Sequence, residues 1–247
     1  MIRLMPDPLG RAIVLRSTGR SLRRSFDSIA VAGHLPRGGA VLAANHGSWW
    51  DGYLLGGLAG AVGQRSAVMM TSQRLAAFPF LRLAGAVGTD GARDLVRAAV
   101  AGRWAVVFPE GDLQPGRTVA PLHPGAAWVA RTARVPLVPV AVRVVTRGAP
   151  LPDALVRFGE PIDAGAQDVR ATTTVLAARL QDEVDRLEAD VAVADPDLPV
   201  PGYRVARRGT STRRDTVSWS VRALAWLTGR PSRPSRPLTA GDDRGPR

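Results

Sequence analysis

The 247-residue chain contains no cysteine, and that absence removes disulfides, thiolate metal sites and a cysteine acyl-enzyme together. Lysine is absent too: all 33 basic residues are arginine, which with the abundance of Ala, Gly, Val and Pro reflects in part a GC-rich coding sequence. Histidine is scarce. His34, His46 and His123 lie far apart without metal-ligand spacing, so no metal is expected, and His34 and His123 read as loop or helix-start residues. No apolar run approaches the roughly 18–20 residues that span a bilayer, and arginines interrupt the first 30 residues where a signal-peptide core would lie. There is no internal repeat.

What is present is positive charge. Against 33 arginines stand 21 acidic residues, giving +12, a field that concentrates polyanions. Nucleic acid, anionic lipid and an acidic carrier protein all qualify. The arginines spread over the whole chain, and no helix-turn-helix, zinc-finger or aromatic RNA-binding pattern occurs, so nucleic acid is not expected as a partner. Near the N-terminus, Leu15, Leu22, Phe26 and Ile29 recur at helical spacings while Arg16, Arg20, Arg23 and Arg24 occupy much of the rest. Such a helix either lies on an anionic membrane surface or packs on the protein's own core. Trp219, Ala223, Trp226 and Leu227, with Arg222 nearby, leave the same two readings open.

The organisation expected is a basic amphipathic helix over residues 1–28, an α/β domain over 29–190, a linker and C-terminal amphipathic helix over 191–228, and a disordered tail over 229–247. Within the domain, strands are expected as a pair at Ile29–Val31 and Ala40–Ala44, then at Ala67–Met70, Trp104–Phe108, Leu137–Val145 and Ala154–Phe158. Helices are expected from Trp49, over Asp90–Ala101, from His123-Pro124-Gly125 and from about Val169.

The densest chemistry lies in Asn45-His46-Gly47-Ser48-Trp49-Trp50-Asp51-Gly52. Five positions on one continuous helix rotate a side chain by about 140°, so His46 and Asp51 would not face each other there. They can meet if His46 sits at a strand-to-helix turn, after the apolar run Ala40–Ala44, with Asp51 one turn into the following helix. A carboxylate would then hold one imidazole nitrogen as a donor and leave the other as general base, a step worth roughly 10²–10⁴ in rate. Downstream, Trp104-Ala105-Val106-Val107-Phe108-Pro109-Glu110-Gly111 is a strand ending in a breaker. It places Glu110 in a loop at a strand's carboxyl end, where open α/β sheets bind ligands. Val135-Pro136-Leu137-Val138-Pro139-Val140 is a third apolar segment, whose prolines suit a strand start, an edge or a bulge.

These segments, in this order, resemble the glycerolipid acyltransferases, the family that includes the 1-acylglycerol-3-phosphate acyltransferases. Asn45-His46 to Asp51, Phe108-Pro109-Glu110-Gly111 and Val135–Val140 match three family blocks, and Gly33-His34-Leu35-Pro36 and Arg157–Ile162 also look like the family. The likeness covers about residues 30–190. It implies a single α/β domain with a central mixed sheet flanked by helices, acting as an O-acyltransferase. An acyl group would pass from acyl-CoA or acyl carrier protein, a co-substrate and not a bound cofactor, to a hydroxyl of a lipid acceptor. His46 and Asp51 are then catalytic, and Asn45, Phe108, Pro109, Glu110, Gly111 and Pro139 belong to the substrate site, with Glu110 shaping the acceptor site or binding a neighbouring arginine. Backbone N–H groups near Gly111 or at the start of the Trp49 helix would serve the oxyanion. Ser48 lacks the glycine pattern of a nucleophile elbow.

Two departures stand out. Glycine occupies position 91 where the family places an arginine, with Arg93 nearest. Asp112-Leu113 replace the Thr-Arg usual in glycerol-phosphate acyltransferases, with Arg117 further on. These arginines would bind the acceptor's phosphate, so 1-acyl-sn-glycerol-3-phosphate is one candidate acceptor and a glycolipid or glycosylated carotenoid another. A non-catalytic protein binding anionic membrane surfaces is a further alternative. The expected location is cytoplasmic, peripheral on the cytoplasmic membrane.

Overall fold

Short Val- and Ala-rich runs bounded by glycine, proline and arginine become strands, and the longer mixed segments between them become helices. The computed structural model describes residues 7–114, 116–210 and 226–228. The order is α1 (Asp7–Ser25), β1 (Ser28–Ala32), β2 (Ala40–Ala44), α2 (Asp51–Ala61), β3 (Ser66–Met70), α3 (Ser72–Ala77), β4 (Ala86–Gly88), α4 (Ala92–Val100), β5 (Trp104–Val107), α5 (Gly125–Ala133), β6 (Leu137–Val145), β7 (Asp153–Phe158), α6 (Val169–Val193) and β8 (Arg204–Arg208). The chain divides into Met1–Ser211 and Thr212–Arg247. Within the second part residues 226–228 form a helical turn, while Trp219, Ala223 and the expected tail over 229–247 lie outside the described residues.

All eight strands form one mixed sheet in the order β4-β3-β5-β2-β6-β7-β1-β8. From β4 to β6 neighbouring strands are parallel. β7 runs antiparallel to β6, β1 parallel to β7, and β8 antiparallel to β1. The fold class is the expected one. α1 and α2 cover one face over Leu42, Val106 and Val138, with Leu54, Leu55 and Leu58 of α2 fully buried. α4, α5 and α6 cover the other, where Val41, Ala43, Leu137 and Leu155 meet Leu95, Val129, Leu176 and Leu187.

Two expectations change. β1 and β2 are not a pair: β1 lies between β7 and β8, and β2 between β5 and β6. The connection over residues 33–39 carries Pro36 and is too long for a tight hairpin, so adjacency in sequence does not become adjacency in the sheet. The segment expected as linker also contributes structure. Val200 and Tyr203 are buried against Val184 and Leu187 of α6, and β8 closes the sheet edge. Its sequence Arg-Val-Ala-Arg-Arg has little apolar signature because an edge strand is half solvated and charge there blocks further pairing.

α1 splits the expected apolar stripe. Leu22 and Phe26 are fully buried, and so is Ile29 in β1, whereas Leu15 is exposed together with Leu9 and Ile13. The second half of the helix is therefore core, pressed onto α2 so closely that a Cβ at Gly57 would stand 2.4 Å from Leu22 Cδ1. Among the described residues no helix is long and apolar enough to cross a membrane.

Candidate active site

β2 is central, and its last residue delivers the chain to the carboxyl edge of the parallel strands. Asn45 then clamps the exit: its side-chain NH₂ donates to Val142 O at 3.2 Å and its Oδ1 accepts from Val142 N at 2.7 Å. The amide thus replaces the backbone rung that the departing strand can no longer supply. Asn45 acts on β6 through both polar atoms of its side chain.

His46 is held at four points. Its backbone N–H donates to Glu110 Oε1 at 2.8 Å, and its carbonyl accepts from Gln114 N at 2.7 Å. The ring stacks on Phe108 with centroids 4.3 Å apart and planes 24° apart. Nδ1 lies 3.0 Å from Asp51 Oδ2, with the imidazole 21% and the carboxylate 1% exposed. An ionised carboxylate only accepts, so Nδ1 carries the proton and the lone pair falls on Nε2. Nε2 has no partner among the described residues.

The helix starts later than expected, which sharpens the pair's geometry. Asp51 is the first residue of α2 and not one turn in. Its Oδ2 also accepts from Ser48 N at 2.8 Å, while Ser48 Oγ accepts from Trp50 N at 3.1 Å. These bonds brace the turn that leads into α2, where Asp51 N also donates to Ser48 O at 3.1 Å, and the positive end of the helix adds to the field on the carboxylate. One carboxylate oxygen therefore braces the turn and orients the base. Trp50 packs edge-on against Phe26 with centroids 5.4 Å apart, so the turn is anchored in the core. Trp49 stays half exposed and stacks on Tyr53.

Phe108-Pro109-Glu110-Gly111 is a turn closed by Gly111 N donating to Phe108 O at 3.1 Å. Gly111 has φ +84°, a backbone conformation that favours glycine, and a Cβ there would crowd the His123 ring at 3.3 Å. The Gly111 amide is committed to the turn and is not a free oxyanion donor. Pro109 O accepts from His123 N at 2.8 Å, holding the approach to α5. Glu110 is buried, and its oxygens accept one amide each, from His46 and from Ala120 at 2.9 Å. Both partners are backbone amides, not the arginine considered from sequence.

Pro139 occupies the third position of β6, a central strand. Pro136 O and Val140 O accept from Val41 N and Asn45 N of the β2 segment, whereas Pro139 O accepts from Gly159 N on the opposite side. The two-residue period of a strand therefore points the proline nitrogen away from β2, toward a side where pairing with β7 begins only at Val140. A central strand tolerates proline there because no ladder donor is needed.

The expected phosphate-binding arginines are not brought together. Arg93 is exposed in the first turn of α4, after β4. Arg117 lies elsewhere, its Nε 3.2 Å from Glu188 of α6. At Gly91 a Cβ would stand 2.8 Å from Val87 Cγ1 and 3.3 Å from Asp94 Oδ2, so the position has no room for an arginine without a shift. Asp90 accepts from Ser72 Oγ at 2.7 Å and ties the β4 and β3 exits together, a hydrogen bond that holds its carboxyl below the usual range. Among the described residues no group of acidic or histidine side chains is arranged to hold a metal.

Comparison with known proteins agrees with this geometry. Residues 28–143 match the profile of the Acyltransferase family, a span that contains His46, Asp51, the Phe108–Gly111 turn and Pro139. No curated protein sequence matches the chain. Among solved structures, the chain is similar to the 1-acyl-sn-glycerophosphate acyltransferase PlsC from Thermotoga maritima, at 20% identity with a TM-score of 0.56, covering 75% of this chain and 85% of that one. The fold is shared, and the matched segment contains the strand-turn-helix delivery of His46 and Asp51: residues 28–143 carry an acyltransferase domain.

Proposed function

We propose that the protein transfers a fatty acyl group from acyl-CoA or acyl carrier protein to a hydroxyl of a lipid at an anionic membrane surface. The observation that carries this reading is His46, fixed through Nδ1 by a buried aspartate and stacked on Phe108, with Nε2 uncommitted at the carboxyl edge of the sheet. Nε2 takes the proton of the acceptor hydroxyl as its oxygen attacks the thioester carbonyl. The carbonyl π pair moves onto oxygen, then returns as the C–S bond breaks. The thiolate leaves with the bond's electrons and recovers the proton from the imidazolium, which Asp51 stabilises meanwhile. Glu110 positions His46 through the backbone amide and takes no proton. Gly47 N and Trp49 N, which find no acceptor among the described residues, are the donors this loop offers to the oxyanion. Ser48 Oγ accepts from Trp50 N in the turn before α2, in keeping with direct transfer and no acyl-enzyme.

Thioester consumption with and without a panel of lipid hydroxyls tests the reading. The panel holds 1-acyl-sn-glycerol-3-phosphate, monoacylglycerol and a glycolipid. Release of thiol that depends on one acceptor, with no stable protein-bound label from labelled donor alone, is expected. Stoichiometric labelling of Ser48 with ping-pong kinetics overturns direct transfer, and release of no thiol with any acceptor returns the chain to a binding role.

A further inference from the structure

A cleft on the α6 side of the sheet opens against the loop that carries His46. Gly47 and Ser48 line one part of it, Arg117 and Arg143 another, and Val184 and Leu187 of α6 contribute apolar surface. Its cavity volume is about 50 Å³, room for a few water molecules or one phosphate group but not for a folded acyl chain. Glu188 of α6, its side chain 14% exposed, lies between the two arginines: Oε2 is 3.2 Å from Arg117 Nε and Oε1 is 3.0 Å from Arg143 Nε. Each is an ion pair at Nε, and Arg143 Nε makes no hydrogen bond among the described residues. The terminal NH₂ groups of both guanidiniums have no acceptor among the described residues, and two positive charges face one negative.

An exposed arginine paired with a glutamate is ordinarily a weak surface contact. Here a single, mostly buried carboxylate ion-pairs with two guanidiniums, and both arginines line a cavity beside the reactive loop. Planar N–H forks fixed in this way suit the oxygens of a phosphate ester, and holding them before the ligand arrives lowers the ordering cost of binding. Arg143, from the end of β6, lies outside the three sequence blocks that drew attention to the site. Nothing in its local sequence separates it from the other exposed arginines, because its partner Glu188 is supplied by α6.

We infer that Arg117 and Arg143, positioned by Glu188, form a phosphate-binding site that anchors a substrate's phosphate ester beside the loop that carries His46. The inference rests on the acyl-transfer reading and adds a recognition site to it. The same chemistry is carried by a phosphorylated acceptor headgroup and by the phosphates of the thioester donor, and kinetics separate them. Arg143→Ala is measured with phosphorylated acceptor against monoacylglycerol, and with acyl-CoA against a phosphate-free acyl N-acetylcysteamine thioester. KM for one phosphate-bearing substrate should rise about tenfold or more while its phosphate-free counterpart is unaffected, with partial recovery in Arg143→Lys. Glu188→Gln should raise the same KM by a smaller factor. A selective effect on the acceptor assigns the headgroup, and one on the donor assigns the thioester carrier.

A readout without turnover keeps the site testable on its own. Inorganic phosphate should raise the thermal midpoint of the wild-type chain in a concentration-dependent way, and Arg143→Ala and Glu188→Gln should each weaken that rise. Equal KM changes for phosphate-bearing and phosphate-free substrates, or phosphate stabilisation identical in wild type and both variants, would overturn the inference. If the wild-type chain turns over no thioester, the acyl-transfer reading fails, and the phosphate titration still decides the anion site.

Discussion

His46 illustrates how little of a catalytic residue's fitness lies in its own side chain. Ring tautomer, ring plane and backbone position are set by Asp51, Phe108 and Glu110 respectively. Removing the base should cost most: His46→Ala is expected to lower kcat by about 10² or more with the folded state intact, since the ring is partly exposed, and Asp51→Asn by less. Steady-state kinetics beside a circular-dichroism melt read both. Near-normal turnover in folded His46→Ala would sink the mechanism. Glu110 makes a different prediction because it acts through amides. Glu110→Ala leaves the N–H groups of His46 and Ala120 without their acceptor, at about 1–3 kcal/mol for each that stays buried. It should therefore lower the denaturant midpoint and kcat together, while Glu110→Gln, which keeps one acceptor oxygen, should recover part of each. Full stability in Glu110→Ala would reject the positioning role.

At the scale of elements, a polar network joins the apolar contacts of Leu176, Val184 and Leu187 in holding α6 to its face of the sheet. Arg157 of β7 reaches Glu183 at 2.8 Å and Asp190 at 3.1 Å, and Tyr203 donates to Asp190 at 3.2 Å. Burial, ahead of its charged neighbours, pushes the Tyr203 hydroxyl up to about 12. An unfolded tyrosine titrates near 10, so between about pH 10 and about pH 12 the unfolded chain releases the proton first and binds fewer protons than the folded one. Stability should accordingly fall as pH rises through that window. Urea unfolding at successive pH values should show a slope that Tyr203→Phe flattens. An identical slope in the variant would mean that other groups carry the alkaline loss.

For the whole molecule, the structure separates residues available to a membrane from those needed for folding. Phe26, for which membrane insertion and core packing were both open from sequence, is fully buried and holds α1 to the core; Leu9, Ile13, Phe78 and Phe80 are about half exposed. Arginines near an anionic surface contribute about 1 kcal/mol each, screened over roughly 8 Å at physiological salt. Co-sedimentation with anionic vesicles should therefore weaken as salt rises, with less binding to neutral vesicles at every salt. A salt-resistant remainder should fall in Leu9→Ser/Phe78→Ser/Phe80→Ser without loss of folding, whereas Phe26→Ser should destabilise the chain by several kcal/mol through lost burial and a cavity. Equal, negligible binding to both vesicle types at low salt would leave these side chains as ordinary exposed surface.

The sequence by itself determined what depends on local order. Breakers and apolar runs located most strands, and β6 begins and ends as expected, because turn chemistry and burial act over a few residues. The His46–Asp51 pair was legible for the same reason: a strand-to-helix turn brings together residues five apart. Tertiary structure decided the rest. His46 meets Glu110 across 64 positions and Asn45 meets Val142 across 97, partners that no periodicity encodes. β1 moved away from β2 because β7 and β8 offered it a place in the sheet, and β8 became visible only once β1 presented an edge to pair with. Arg117 and Arg143 likewise acquired a common position only when α6 brought Glu188 between them. Hydrogen bonds and ion pairs of this kind are fixed by where whole elements pack, and so lie beyond the reach of any local pattern.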